Sequence, residues 1–265
     1  MLIDYKIEET SKLKTKEIKK ISDEISEEEF LEFVSIFRTD ERKSVQAICE
    51  RLLKKLEKIH LEDERLEKMN NYENSAYNEG FIYVGGVDEA GRGPLAGPVV
   101  AAVVVFDPHT KIRGVNDSKK LSEAKRNELY KEIIEKAKDY GIGIADHKEI
   151  DKYNILNATY MAMRRAISNL KKAPDCLLND AVKIPGVDAK QISIIQGDAK
   201  SISIAAASIL AKVTRDQMMY EDDELYPGYA FSSNKGYGTS DHYAGIKRLG
   251  ITPIHRHSFL KNFEY

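Results

Sequence analysis

Two carboxylates stand side by side at Asp88-Glu89, straight after the apolar and aromatic run Phe81-Ile82-Tyr83-Val84-Gly85-Gly86-Val87. Such a run, bounded by glycine and proline, reads as a buried strand. Acids at the end of a buried strand are costly to desolvate, so they must be paired or bind a cation. Two more acids, Asp180 and Asp198, also end an apolar run or lie one turn past it. An oxygen-only donor set of this kind suits Mg²⁺ or Mn²⁺ rather than zinc. Two such ions can activate a water and stabilise the leaving oxygen of a phosphodiester. The turn that follows the first pair, Gly91-Arg92-Gly93, lets backbone approach a ligand closely and places a guanidinium between its glycines, as for a metal next to a phosphate.

Other chemistries lack their residues. There is no G-x-x-x-x-G-K-[ST] loop, no G-x-S-x-G elbow and no H-E-x-x-H pair, and the six histidines do not cluster at ligand spacing. Two cysteines, Cys49 and Cys176, form neither a disulfide framework nor a zinc cluster. His255 and His257 flank Arg256, an arrangement that binds phosphate or ties down the C-terminal tail.

The elements that must position these groups fall into two parts. Residues 1–74 read as helical. Ser26 and Glu29 form a capping box ahead of Phe30, Leu31, Phe33 and Val34. Asp40 caps a longer helix whose stripe is Val45, Ile48, Cys49, Leu52, Leu53, Leu56 and Ile59, with lysine and arginine over much of the other face. That face is either simply solvated or grips a duplex. Residues 70–80, rich in asparagine, read as a linker.

From residue 81 the pattern becomes α/β. Strands are expected at 81–87, 99–106, 140–145, 176–180 and 192–195. Helices are expected after Ser122, ended by Gly141, and at 150–170, 203–220 and 242–249, with Glu221–Glu224 as a solvated turn. This order predicts a mixed sheet with helices on both faces, in which strand ends converge on one edge.

At 265 residues with 42% hydrophobic and 32% charged content, the chain can bury a core beneath a polar surface. No run of about 18 apolar residues offers a membrane span, and the N-terminus lacks a signal-peptide core, so a cytoplasmic chain is expected. Residues 1–80 carry 20 acids against 15 bases, and residues 81–265 carry 23 against 26. With several of the latter acids neutralised by metal, the second part is mildly basic, which is compatible with phosphate contacts.

The stretch Val87-Asp88-Glu89-Ala90-Gly91-Arg92-Gly93-Pro94-Leu95-Ala96-Gly97-Pro98-Val99 resembles the signature of ribonuclease HII, the type 2 ribonucleases H. The resemblance continues in Asn116-Asp117-Ser118-Lys119-Lys120-Leu121, Gly197-Asp198-Ala199-Lys200, the segment 205–216, Lys235-Gly236-Tyr237-Gly238-Thr239 and His255-Arg256-His257-Ser258-Phe259. It covers about residues 81–262, and the helical extension resembles one carried by some bacterial members.

The resemblance implies an RNase H-like mixed five-stranded sheet flanked by helices, with a catalytic domain at 75–265 behind a helical extension at 1–74 whose part in substrate binding stays open. It implies a metal-dependent endoribonuclease that cuts RNA/DNA hybrids and single ribonucleotides embedded in duplex DNA. The chain is expected to act on nucleic acid as a monomer. The family's four metal-site acids map onto Asp88, Glu89, Asp180 and Asp198. The 91–93 turn then reads the ribose 2′-hydroxyl, and Tyr237 stacks on the neighbouring deoxyribose. Lys119, Lys120, Lys200 and Arg256 are candidate phosphate contacts. Three alternatives stay open: ribonuclease HIII, which usually has lysine in place of Arg92; a non-catalytic hybrid-binding module; and a structural protein docking through its helices.

One position departs from the pattern. Asn179 stands where the family usually has an aliphatic residue before the third acid. Strand alternation sends it to the face opposite Asp180, where a buried amide needs partners or costs about 1–3 kcal/mol.

Overall fold

The structure, a computed structural model, describes residues 13–261. The expectation of helix at residues 1–12 lies outside that range. By its internal contacts the chain divides into two units between Arg65 and Leu66.

The first unit is helical. Helix α1 is Thr15–Glu24, α2 is Phe30–Phe37, and α3 begins at Lys43 and runs to Met69. Ile18, Phe30, Phe33, Phe37, Val45, Ile48, Cys49 and Leu52 interlock as its core, as the helical spacing requires. The capping box at Ser26 is present, with the Ser26 N–H donating to the Glu29 carboxylate at 2.9 Å. Asp40 does not cap α3 directly. Its carboxylate accepts from the backbone and side chain of Arg42, just before the helix.

The second unit carries a five-stranded sheet in the order β3-β2-β1-β4-β5. Strand β1 is Val84–Ala90, β2 Val99–Val105, β3 Asp139–Ala145, β4 Cys176–Asp180 and β5 Lys190–Ile194. β1, β2 and β3 pair antiparallel, and β4 joins β1 in parallel with β5 beyond it. Strand β2, Val99-Val100-Ala101-Ala102-Val103-Val104-Val105, is buried throughout because both sheet faces are covered. One face packs beneath α7, Ile202–Leu225, and α5, Glu123–Lys136. The other packs beneath α6, His147–Ser168. The mixed five-stranded sheet with helices on both sides is therefore as expected.

Four local expectations need correction. The 70–80 segment is not a linker: Asn71–Asn78 form helix α4, and Tyr72, Ala76 and Tyr77 pack among Val84, Cys176, Leu178, Ile194 and Ile204. Tertiary burial here overrides an asparagine-rich composition. Glu221–Glu224 are not a turn but the last stretch of α7. Gly141 does not end α5, which stops at Lys136 with Ala137 as its cap. Gly141 and Gly143 instead lie in β3, where a Cβ on either would overlap the backbone of α6 at Ala166 or Ala162. The helix expected from residue 150 starts at His147, capped by Asp146 with Glu149.

Asn179 is wholly buried and faces away from Asp180, as alternation requires. Its amide nitrogen donates to Gln191 Oε1 at 2.9 Å, while the same Gln191 amide holds Ile184 and Val187. Gln191 thus answers the departure in the neighbouring strand, leaving Asn179 Oδ1 without a partner.

Candidate active site

Val87 opposite Asn179 is the last pair between β1 and β4, so the next residues, Asp88 and Asp180, stand side by side where the two strands part. β5 runs into a 3₁₀ turn at Gly197–Ala199 that carries Asp198. The three acids converge: one carboxylate oxygen from each of Asp88, Asp180 and Asp198 lies within 4.8 Å of the others. Asp88 and Asp198 are buried. Glu89 is not among those three. Alternation turns it towards Arg92, whose guanidinium lies 3.3 Å from its carboxylate.

Hydrogen bonds hold Asp88 and Asp180. Asp88 accepts from the Glu89 N–H at 2.8 Å, and the Ser208 hydroxyl, 3.0 Å from that of Ser118, favours its charged form. Asp180 accepts from the Gly197 N–H at 2.8 Å, which ties β4 to the turn that carries Asp198. Burial, then the charge of Glu89, pushes Asp88 well above the usual carboxylate range. Burial, then Asp117 and Asp180, raises Asp198. Burial also raises Glu89, although Arg92 works against it. Lys119 loses hydration, but Asp117, Asp88, Asp198 and Asp180 outweigh that loss and hold its ammonium charged. Clustered, desolvated oxygen donors that repel one another are the donor set a hard divalent cation relieves, so these residues fit one.

Beside the acids opens a cleft of about 460 Å³ lined by Glu89, Gly91, Arg92, Gly93, Lys119 and Tyr237 together with Arg126, Ser208, Lys212 and Arg215. Tyr237 is half exposed and lies across from Gly93. Gly91 sits at φ +94°, where a Cβ would overlap the Arg215 side chain. Lys120 and Lys200 are exposed, and the Lys200 ammonium donates to Ile195 O.

Arg256 is not placed to bind phosphate. It is fully buried, and its guanidinium donates to the carbonyls of Gly97, Arg92, Gly91 and Pro98 at 2.6–3.1 Å. Arg215, also buried, adds bonds to Pro98, Ala96 and Lys235. The two cations knit the 91–98 segment from behind. Burial lowers Arg256 to about 9 and Arg215 to about 10, so both stay charged at neutral pH.

His255 is likewise internal. Its Nδ1 accepts from the Thr252 N–H at 2.8 Å, so its Nε2 carries the proton and donates to His242 Nε2 at 3.0 Å. His242 Nδ1–H in turn donates to the carbonyl of Tyr237 at 2.9 Å. The relay works only with both rings neutral, and burial, helped by His242, lowers His255 to about 4. An unfolded histidine titrates near 6.5, so the unfolded chain binds the extra proton first. This contribution is therefore complete above about pH 6.5 and is lost as pH falls towards 4. Ring-nitrogen NMR is expected to show the His255 imidazole still neutral at pH 5.5, below the value near 6.5 of an unfolded histidine.

Sequence reasoning did not single out Ser208, Arg215 or Glu73. Ser208 and Arg215 lay inside the quoted 205–216 segment without a role, and Glu73 sat in the supposed linker.

A family model described as Ribonuclease HII matches residues 85–262, and one described as Ribonuclease HII N-terminal domain matches residues 14–77. The chain is similar to the Ribonuclease HII of Clostridioides difficile strain 630, at 63% identity over 93% of this chain and 97% of that protein. It is also similar to that of Ruminiclostridium cellulolyticum, at 51% over 95% and 98%. Among solved structures, the ribonuclease H2 of Pyrococcus horikoshii OT3 superposes with a TM-score of 0.58 at 29% identity, over 67% of this chain and 93% of that one.

Proposed function

Since the chain belongs to the ribonuclease HII family, hydrolases of RNA in RNA/DNA hybrids, we propose that it is a divalent-metal-dependent endonuclease that also cuts 5′ of single ribonucleotides embedded in duplex DNA. The products are a 3′-hydroxyl and a 5′-phosphate. The observation that carries the reading is the convergence of Asp88, Asp180 and Asp198, with Asp88 next in sequence to Glu89, which lines the cleft that holds Gly91–Gly93 and Tyr237.

Asp88, Asp180 and Asp198, with Glu89 beside them, would hold Mg²⁺ or Mn²⁺. Bound there, such ions supply an activated water and charge stabilisation at the leaving oxygen. The chain's own groups do the choosing. Backbone of the 91–93 turn can reach a sugar hydroxyl that only RNA offers. Tyr237, held through its carbonyl by His242, closes the opposite wall. A substrate without the hydroxyl sits out of register, and a misplacement of about 1 Å can cost about 100-fold in rate. Lys119, Lys120 and Lys200 supply phosphate contacts, and the enzyme works as a cytoplasmic monomer.

The test is a DNA duplex carrying one ribonucleotide, incubated in Mg²⁺, in Mn²⁺ and in chelator. A single nick 5′ of the ribonucleotide, only with metal, supports the reading. Equal cutting of all-deoxy duplex, or cutting in chelator, overturns it.

The helical extension is proposed to grip duplex through the exposed basic face of α3, which carries Lys54 and Lys58. The double variant Lys54→Glu/Lys58→Glu is expected to raise KM several-fold with kcat little changed. The log–log salt slope of binding should fall by about 2.

A further inference from the structure

The last helix of the N-terminal family segment delivers one carboxylate into the interior of the second unit. Glu73, on α4, is 3% exposed, and its Oε1 accepts from Ser201 Oγ at 2.5 Å, Ser203 Oγ at 2.5 Å and the Ser203 N–H at 3.0 Å. Ser201 and Ser203 are fully buried, and Ser201 is the N-cap of α7, accepting from the Ile204 N–H. A carboxylate here meets the positive end of a 24-residue helix.

That helix entrance touches all three clustered acids through short links. Ser201 N–H donates to Gly197 O at 2.8 Å, closing the turn that carries Asp198. Gly197 N–H donates to Asp180. Ser203 lies directly against Gly86, where any Cβ would overlap it, two residues before Asp88 in β1. Seven residues into the same helix, the Ser208 hydroxyl favours the charged form of Asp88.

We propose that Glu73 is a positioning residue for the acidic cluster: by locking the Ser201–Ser203 entrance of α7, it sets the spacing of Asp88, Asp180 and Asp198. The proposal rests on the reading of that cluster as a divalent-cation site. Glu73 touches none of the three acids and is not a ligand. Its influence on cation affinity passes through the geometry of the turn, as outer partners of metal ligands commonly act.

The experiment titrates Mn²⁺ into the full-length protein without substrate, following free Mn²⁺ by electron paramagnetic resonance at a temperature below each variant's melting transition. Glu73→Ala is expected to weaken Mn²⁺ binding about 10-fold. Glu73→Gln, which keeps an acceptor for both seryl hydroxyls, should weaken it less. At saturating Mn²⁺ kcat falls while KM for an RNA/DNA hybrid stays within about two-fold of wild type, as expected of a group remote from the nucleic acid. Should Glu73→Ala not fold, Ser203→Ala removes one donor from the same lock and carries the same expectation. Unchanged Mn²⁺ affinity in folded Glu73→Ala or Ser203→Ala, with only the melting temperature lowered, overturns the proposal. Failure of the wild-type protein to bind Mn²⁺ would instead overturn the cation-site reading itself.

Discussion

Asp88→Asn is expected to abolish cleavage and, in chelator, to make the protein more stable. The two effects share one cause. Asp88 is buried, repelled by Glu89 and Asp180, and held well above the usual carboxylate range. At neutral pH its charge is therefore a cost that only a cation relieves. Asn keeps an oxygen to accept from the Glu89 N–H. Its NH₂ group offers donors where Asp180 and Asp198 present oxygens within 4.8 Å. Relief of about 1–2 kcal/mol corresponds to a rise of roughly 3–6 °C in melting temperature for a chain of this size. Activity should fall on the order of 10³-fold or more, about 4 kcal/mol in the barrier. Mn²⁺ should raise the melting temperature of the wild type and barely move that of the variant. A variant that melts lower than wild type in chelator, or that cuts at the wild-type rate, would refute the assignment.

The pH dependence separates the same effect. A carboxyl raised in the folded state stabilises the protein below its unfolded value, near 3.9, and loses that contribution as pH climbs through the folded value. The His242–His255 relay has the opposite slope, losing stability as pH falls below about 6.5. In chelator the wild-type profile is the sum of opposing trends. Asp88→Asn removes one contributor to the first of them, leaving those of Glu89 and Asp198, so its stability should decline more steeply on acidification.

The physics also explains what the sequence could convey. The strands that carry Asp88 and Asp180 announce themselves because buried strands are continuous apolar runs, and an acid at the end of one is conspicuous. Asp198 was visible for the same reason, one turn past β5. Glu73 was not: a lone acid among asparagines looks solvated until α4 is seen packing Ala76 against the sheet. Gly141 read as a helix stop because glycine serves both helix ends and close packing, and only the proximity of α6 decides between them. Asn179 was expected to face the core, but its partner lies on another strand, at Gln191, and no local pattern gives that register. Arg256 misled most. Next to two histidines near the C-terminus, an arginine resembles a phosphate contact, and nothing local reveals that its guanidinium turns inward.

That inward turn yields the second large effect. Arg256→Lys is expected to lower the melting temperature by about 5–10 °C, reduce kcat on the order of 100-fold, and leave the salt slope of nucleic-acid binding unchanged. The guanidinium spans carbonyls of Gly91, Arg92, Gly97 and Pro98, a fork that a single ammonium cannot reproduce. Buried carbonyls left without donors cost about 1–3 kcal/mol each, and one or two such losses account for the shift in melting. The rate loss follows because the same carbonyls belong to the turn proposed to read the 2′-hydroxyl, where about 1 Å of slack costs about 100-fold. Selectivity for ribose over deoxyribose at the cut site should relax in step with kcat. A phosphate contact predicts the reverse: lysine would preserve most of the binding, and Arg256→Ala would reduce the log–log salt slope by about 1 with little loss of stability. Lys119→Ala supplies the comparison, since Lys119 lines the cleft and should show that salt signature without the melting shift. If Arg256→Lys proves as stable and as selective as wild type, the 91–98 turn is held by other means and the buried guanidinium has been misread.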